Sequence, residues 1–150
     1  MNRPCLHIVL LFVSALLFSC AATKQLEVVG TSDAPKVIAP YSQAIKVGHM
    51  VYTSGQIGLS PATNTLVGTD IGSQTQQALK NLKAVLEAAG SDMEHVVKVT
   101  VYLKDMADYA KVNDIYKDYF PGIKPARSAV QVARLPKDAL VEIECIGEIK

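Results

Sequence analysis

The 150-residue chain carries 15 Lys and Arg against 14 Asp and Glu, for a net charge of +1, and 49% of its residues are hydrophobic. That balance argues against a binder of nucleic-acid backbones, which needs basic residues concentrated on one surface. The length suits a single domain that buries roughly two thirds of its unfolded surface.

Met1-Asn2-Arg3-Pro4 is a short basic start, and residues 8–18 form an apolar run broken only by Ser14. The run is too short to span a bilayer and has the form of a signal-peptide core. Leu17-Phe18-Ser19-Cys20 follows and reads as a lipobox, in which cleavage removes residues 1–19 and leaves Cys20 first and lipid-modified; an ordinary secretory signal is the alternative. Removal of Arg3 leaves 14 basic side chains against 14 acidic ones, a neutral mature chain. Cys5 leaves with the leader and Cys20 carries lipid, so Cys145 has no disulfide partner. The expectation is an exported, periplasmic protein that meets the membrane only through Cys20. Ala21-Ala22 lacks the acidic residue that retains lipoproteins at the inner membrane, which leans toward the outer one.

Residues 20–30 read as a tether and a first edge strand, and residues 31–150 as the folded domain. Two extended pieces flank Gly48-His49, the stronger being Met50-Val51-Tyr52-Thr53, and residues 60–65 are a turn cluster. The spacing of Ala78, Leu79, Leu82, Val85, Leu86 and Ala89 predicts a helix over 73–89, with Gln77, Lys80, Lys83 and Glu87 outside and Gly90 as its stop. Residues 95–104 switch to period two, with Val97, Val99, Val101 and Leu103 facing one way. A second helix is expected over 107–120, with Tyr109, Val112, Ile115, Tyr116 and Tyr119 buried, ended by Pro121-Gly122. This order gives an α+β sheet with both helices on one face and the other face uncovered within one chain.

The C-terminal stretch reads as two strands joined by a turn at residues 135–138. Val130, Val132, Val141, Ile143 and Cys145 then share an apolar side, and Arg127, Gln131, Glu142 and Glu144 the other. Such a polar face is either simply wetted or an open patch for a small anion, where the arginine grips a carboxylate in two places and a glutamate moves protons. His49 and His95 have no cysteine or carboxylate at ligand spacing, and no glycine-rich phosphate loop occurs, so neither a metal nor a nucleotide cofactor is expected.

Several separated blocks carry a resemblance. They are Pro125-Ala126-Arg127-Ser128-Ala129-Val130, Val132-Ala133-Arg134-Leu135-Pro136-Lys137-Asp138, Val141-Glu142-Ile143-Glu144, Ala39-Pro40-Tyr41-Ser42-Gln43-Ala44, Thr53-Ser54-Gly55-Gln56-Ile57 and Val112-Asn113-Asp114-Ile115-Tyr116. Taken in chain order, from about Thr31 to the C-terminus, they resemble the RidA/YjgF family of reactive intermediate (enamine/imine) deaminases, also labelled L-PSP endoribonucleases. The resemblance implies a chorismate-mutase-like α+β fold, a mixed six-stranded sheet with two helices on one face, and a homotrimer with sheets around the threefold axis and sites between subunits. It implies cofactor-independent hydrolysis of small 2-aminoacrylate-like enamines and imines to 2-keto acids and ammonia.

Residue by residue, it assigns Arg127 to the substrate carboxylate and Glu142 to water and protons. An ion pair of Arg127 with a glutamate, and Glu144 as the acting acid, are the competing readings. Tyr41, Ser54 and Gly55 match the pocket lining, with main-chain N–H groups near Ser54-Gly55 offered to a carboxylate. Asn113 orders the pocket or caps the helix. Ala129 stands where close relatives carry cysteine, keeping the backbone contacts without the thiol, and Ala39 replaces the usual glycine before Pro40-Tyr41. A non-catalytic carboxylate-binding trimer is the alternative function, and an endoribonuclease ranks last.

Overall fold

The computed structural model describes residues 25–150. The leader, Cys20 and the tether to residue 24 lie outside the described residues.

Seven strands and two helices follow one another: β1 (Leu26–Val29), β2 (Ala44–Val47), β3 (Met50–Thr53), β4 (Gln56–Ile57), α1 (Ile71–Ala88), β5 (Val96–Leu103), α2 (Tyr109–Tyr119), β6 (Ala126–Gln131) and β7 (Val141–Glu148). Six strands run in the order β1-β2-β3-β7-β5-β6, and the two-residue β4 is a seventh beside β7. Only β5 and β6 pair in parallel, so the sheet is mixed, as expected. The β2–β3 hairpin closes over Gly48-His49, with Gly48 at φ +59° as a two-residue turn requires.

Helix α1 starts two residues earlier than its apolar spacing predicts, because Asp70 accepts from the Ser73 N–H at 2.8 Å and caps it. Gly90, at φ +83°, ends it. The face of α1 bearing Leu79, Leu82, Val85 and Leu86 packs with Val112, Tyr116 and Phe120 of α2 and its end onto Val99, Val101, Leu103, Val141, Ile143 and Cys145. Rings Tyr116 and Phe120 stack at 4.4 Å. Three buried polar residues of α1, Gln74, Thr75 and Asn81, do not follow the apolar pattern. Asn81 Nδ2 donates to the carbonyls of Ile57 (3.1 Å) and Leu59 (2.9 Å), and Gln74 accepts from the Leu140 N–H at 2.8 Å. Asn81 and Gln74 fasten β4 and the entry to β7 to the helix, which fixes both walls of the site below.

The final hairpin is corrected. Strands β6 and β7 are not neighbours, because β5 lies between them: Val99 pairs with Arg127 on one side and Cys145 on the other. The connection folds into a turn at Pro136–Asp138 instead of pairing Ala139 with Arg134. Residues paired across a sheet share a face, so Arg127 lies on the helix-covered face with Val99, whereas Glu142, Tyr102 and Val130 lie on the open one. Val130 therefore leaves the expected apolar side and is 43% exposed. A register shift between Val96 and Lys98 likewise turns Val97 outward and buries Val96 in its place.

Candidate functional site

Two clusters emerge, one on each face. The first lines a cavity of about 450 Å³ whose walls include Lys36, Ile38, Tyr41, Ser54, Gly55, Gln56, Ile57, Lys137 and Glu142. The loop before β2 is held over it by Gln43, whose side chain accepts from the Thr31 N–H (2.6 Å) and donates to the Thr31 (3.1 Å) and Pro35 (2.9 Å) carbonyls. Tyr41, on this loop, is 52% exposed and belongs to the cavity wall, not to the core.

Glu142 rises from β7 beside Ile57 of β4. Its carboxyl is seated against Gly55: a Cβ on that glycine would lie 1.8 Å from Oε1. The close approach that Gly55 permits is thus already used by a side chain of the same chain. Burial, and then the neighbouring Glu144, hold Glu142 above the usual carboxylate range. Glu144 accepts from the Tyr102 hydroxyl at 3.0 Å and does not line the cavity. Ser54 is spent structurally: its N–H donates to Gln43 (2.9 Å) and its hydroxyl to Ser42 (2.6 Å) carbonyls. The expected offer of main-chain N–H groups there narrows to that of Gly55.

A raised carboxyl carries a signature in stability. Because the folded pKa of Glu142 lies above the unfolded one, the fold loses stability as pH rises from the unfolded value through the folded value. Glu142→Gln escapes that loss. Thermal melts should give the variant the higher Tm at pH 7, with the difference closing at low pH, where both side chains are neutral.

The second cluster surrounds Arg127. The guanidinium Cζ lies 4.6 Å from the Tyr116 ring centroid and 5.4 Å from that of Tyr109. Nη2 donates to the Tyr109 hydroxyl (2.9 Å) and to Asn113 Oδ1 (2.7 Å). Neither glutamate pairs with it among the described residues. Ala129, two residues along β6, shares the half-buried side of that strand with it. Tyr109, expected in the core, is 39% exposed and stands over the arginine.

Arg127 and Asn113 therefore come together, and Tyr41, Ser54, Gly55 and Glu142 come together, but the two groups do not meet within one chain. Lys36, Lys137 and Tyr109 escaped the sequence reading. Lys137 had a signal: it sits in the Leu135-Pro136-Lys137-Asp138 block and holds φ +56°, strained for a residue with a Cβ. Cys145 is buried, as expected, and burial pushes its thiol up to about 12. His95 is not alone: its Nδ1 lies 2.7 Å from Asp92, which caps the short turn there.

The sequence profile of the Endoribonuclease L-PSP family matches residues 31–149. The chain belongs to that family. A RutC family protein of Pyrococcus horikoshii is 58% identical over 121 residues, spanning 81% of this chain and 96% of its own length. A Mus musculus protein named 2-iminobutanoate/2-iminopropanoate deaminase is 52% identical over 121 residues, spanning 81% of this chain and 90% of its own length. The crystal structure of the Escherichia coli YjgF gene product superposes with a TM-score of 0.79 at 42% identity, covering 83% of this chain and 99% of that one. By sequence the L-PSP chain is deaminase-like, and its fold is that of the YjgF structures.

Proposed function

We propose that this L-PSP protein is a hydrolytic deaminase of small 2-imino and enamino acids, working without a cofactor as a homotrimer. The observation that carries the reading is Glu142, a half-buried carboxyl held above its usual range in a cavity of about 450 Å³. A carboxyl tuned toward neutrality both gives and takes protons. The name of the mouse relative adds the substrate class.

In this reading the protonated Glu142 gives its proton to the methylene carbon of the enamine, which becomes an iminium. The carboxylate then takes a proton from the water that attacks the iminium carbon. That proton passes to nitrogen; as the carbon–nitrogen bond breaks and ammonia leaves, the hydroxyl proton returns to Glu142 and the 2-keto acid remains. Arg127 of a neighbouring subunit supplies the positive charge for the substrate carboxylate. An intersubunit site is supported by the open sheet face, where Leu26 (66%), Val28 (69%), Tyr52 (44%) and Val130 (43%) are exposed and call for a covering surface.

Purified protein supplied with freshly generated 2-aminoacrylate should accelerate keto-acid formation, at a rate that falls as pH rises through the raised pKa of Glu142 and its starting proton is lost. Saturable binding without acceleration would make it a carboxylate sensor instead, and RNA cleavage surviving nuclease-free purification would make it an endoribonuclease. Export with a lipid on Cys20 belongs to the same proposal. Mass analysis of the mature N-terminus should find an acylated Cys20, and an intact Met1 would sink it.

A further inference from the structure

An arginine can grip a carboxylate in two places along two edges, Nε with Nη2 or Nη1 with Nη2. Both edges need Nη2. In this chain each of its two hydrogens is already committed, one to the Tyr109 hydroxyl at 2.9 Å and one to Asn113 Oδ1 at 2.7 Å. Each edge of Arg127 is left with a single N–H for an incoming anion. On the edge closed by Asn113 the blocking atom is a carbonyl oxygen, with no proton to offer. On the edge closed by Tyr109 it is a phenol, which accepts from the arginine and still has its own hydrogen. That hydrogen goes to no acceptor among the described residues, and Tyr109 is 39% exposed.

We propose that the Tyr109 hydroxyl is a second recognition group for the substrate carboxylate, making with one N–H of Arg127 the two-point grip that the arginine no longer makes alone. The inference rests on the reading of Arg127 as the anion-binding group. Tyr109 restores on its edge the donor that it consumes, because its hydroxyl rotates about the C–O bond and can turn its hydrogen to the acceptor that the remaining N–H serves. The hydrogen bonds from Asn113 and Arg127 also lower the phenol's pKa, which makes it the stronger donor. A phenylalanine here would stack on the guanidinium equally well. The hydroxyl is the part that stacking does not explain.

The test is Tyr109→Phe, which keeps the ring over Arg127 and removes only the oxygen. With the stable keto acid 2-oxobutanoate as probe, calorimetric titration of the assembled protein should give a Kd about tenfold weaker for the variant, the size expected of one hydrogen bond to a charged group. The uncharged methyl ester should bind both proteins alike. In steady-state turnover KM should rise by about the same factor with kcat within about twofold. The parent's KM should climb in the alkaline range as the phenol loses its proton, a limb absent from the variant. Equal or tighter binding of 2-oxobutanoate by Tyr109→Phe would overturn the proposal while leaving Arg127 as the anion site. A parent protein that binds no 2-oxobutanoate would overturn the reading of Arg127 itself, and this proposal with it.

Discussion

Subunits carrying Arg127→Ala and subunits carrying Glu142→Gln, each nearly inactive alone, should regain activity when denatured together and refolded as mixed trimers. Within one chain the two side chains rise from opposite faces of the sheet, Arg127 in the row of Val99 and Cys145 and Glu142 in the row of Tyr102 and Val130. No side-chain rotation brings them into one pocket. A shared site must draw its arginine from one subunit and its glutamate from the next. Loss of the proton-transfer group alone should cost about 10²–10⁴-fold in rate. In a random equimolar mixture about one site in four joins an intact arginine to an intact glutamate, so about a quarter of the parent activity should return. A mixture that stays at the level of the separate variants would rule out the shared site.

Gly55→Ala should cost almost as much activity as Glu142→Gln while leaving the fold standing. The added methyl would meet Glu142 at three atoms, Oε1 at 1.8 Å, Cδ at 2.6 Å and Cγ at 2.8 Å. Those atoms are the far end of a flexible side chain, so the clash is relieved by swinging the carboxyl out of its seat. Keto-acid formation should fall by about 10²-fold, with a stability change within about 1 kcal/mol. The double variant Gly55→Ala/Glu142→Gln should be little worse than Glu142→Gln, because both remove the same group from the same place. A Gly55→Ala protein of normal activity would mean that the seated carboxyl does no chemistry.

Local pattern carried much of this fold. The alternation of residues 50–53 became β3, and the apolar spacing of Ala78, Leu82 and Val85 became the buried stripe of α1. Which strand lies beside which was not legible. Residues 126–131 and 141–148 are joined by a short connection, and proximity in sequence favours pairing them; the parallel pairing of β6 with β5 and the placing of β7 between β3 and β5 come from packing that no short pattern encodes. The error carried over into the site. Parity along an imagined hairpin set Arg127 beside Glu142 and Glu144, whereas the register through β5 sets it in the row of Val99 and Cys145, on the opposite face. Resemblance pointed to Arg127 and Asn113 and to Tyr41, Gly55 and Glu142, but it could not say that Gly55 is pressed on Glu142 or that Tyr109 holds Arg127, since both are contacts between segments far apart in sequence. Asn81 and Gln74 were hidden for a related reason: a polar residue on an apolar stripe reads as noise until the carbonyls it serves are known.

The position of β7 also bears on how the molecule is made. Strand β7 follows all the others in sequence and is an interior one, hydrogen-bonded to β3 and β4 on one flank and β5 on the other. Without it no strand pairing joins β1–β2–β3 to the β5–β6 pair, and these contacts are long-range and slow to form. Closure of the sheet around β7 is therefore a late, long-range step of folding.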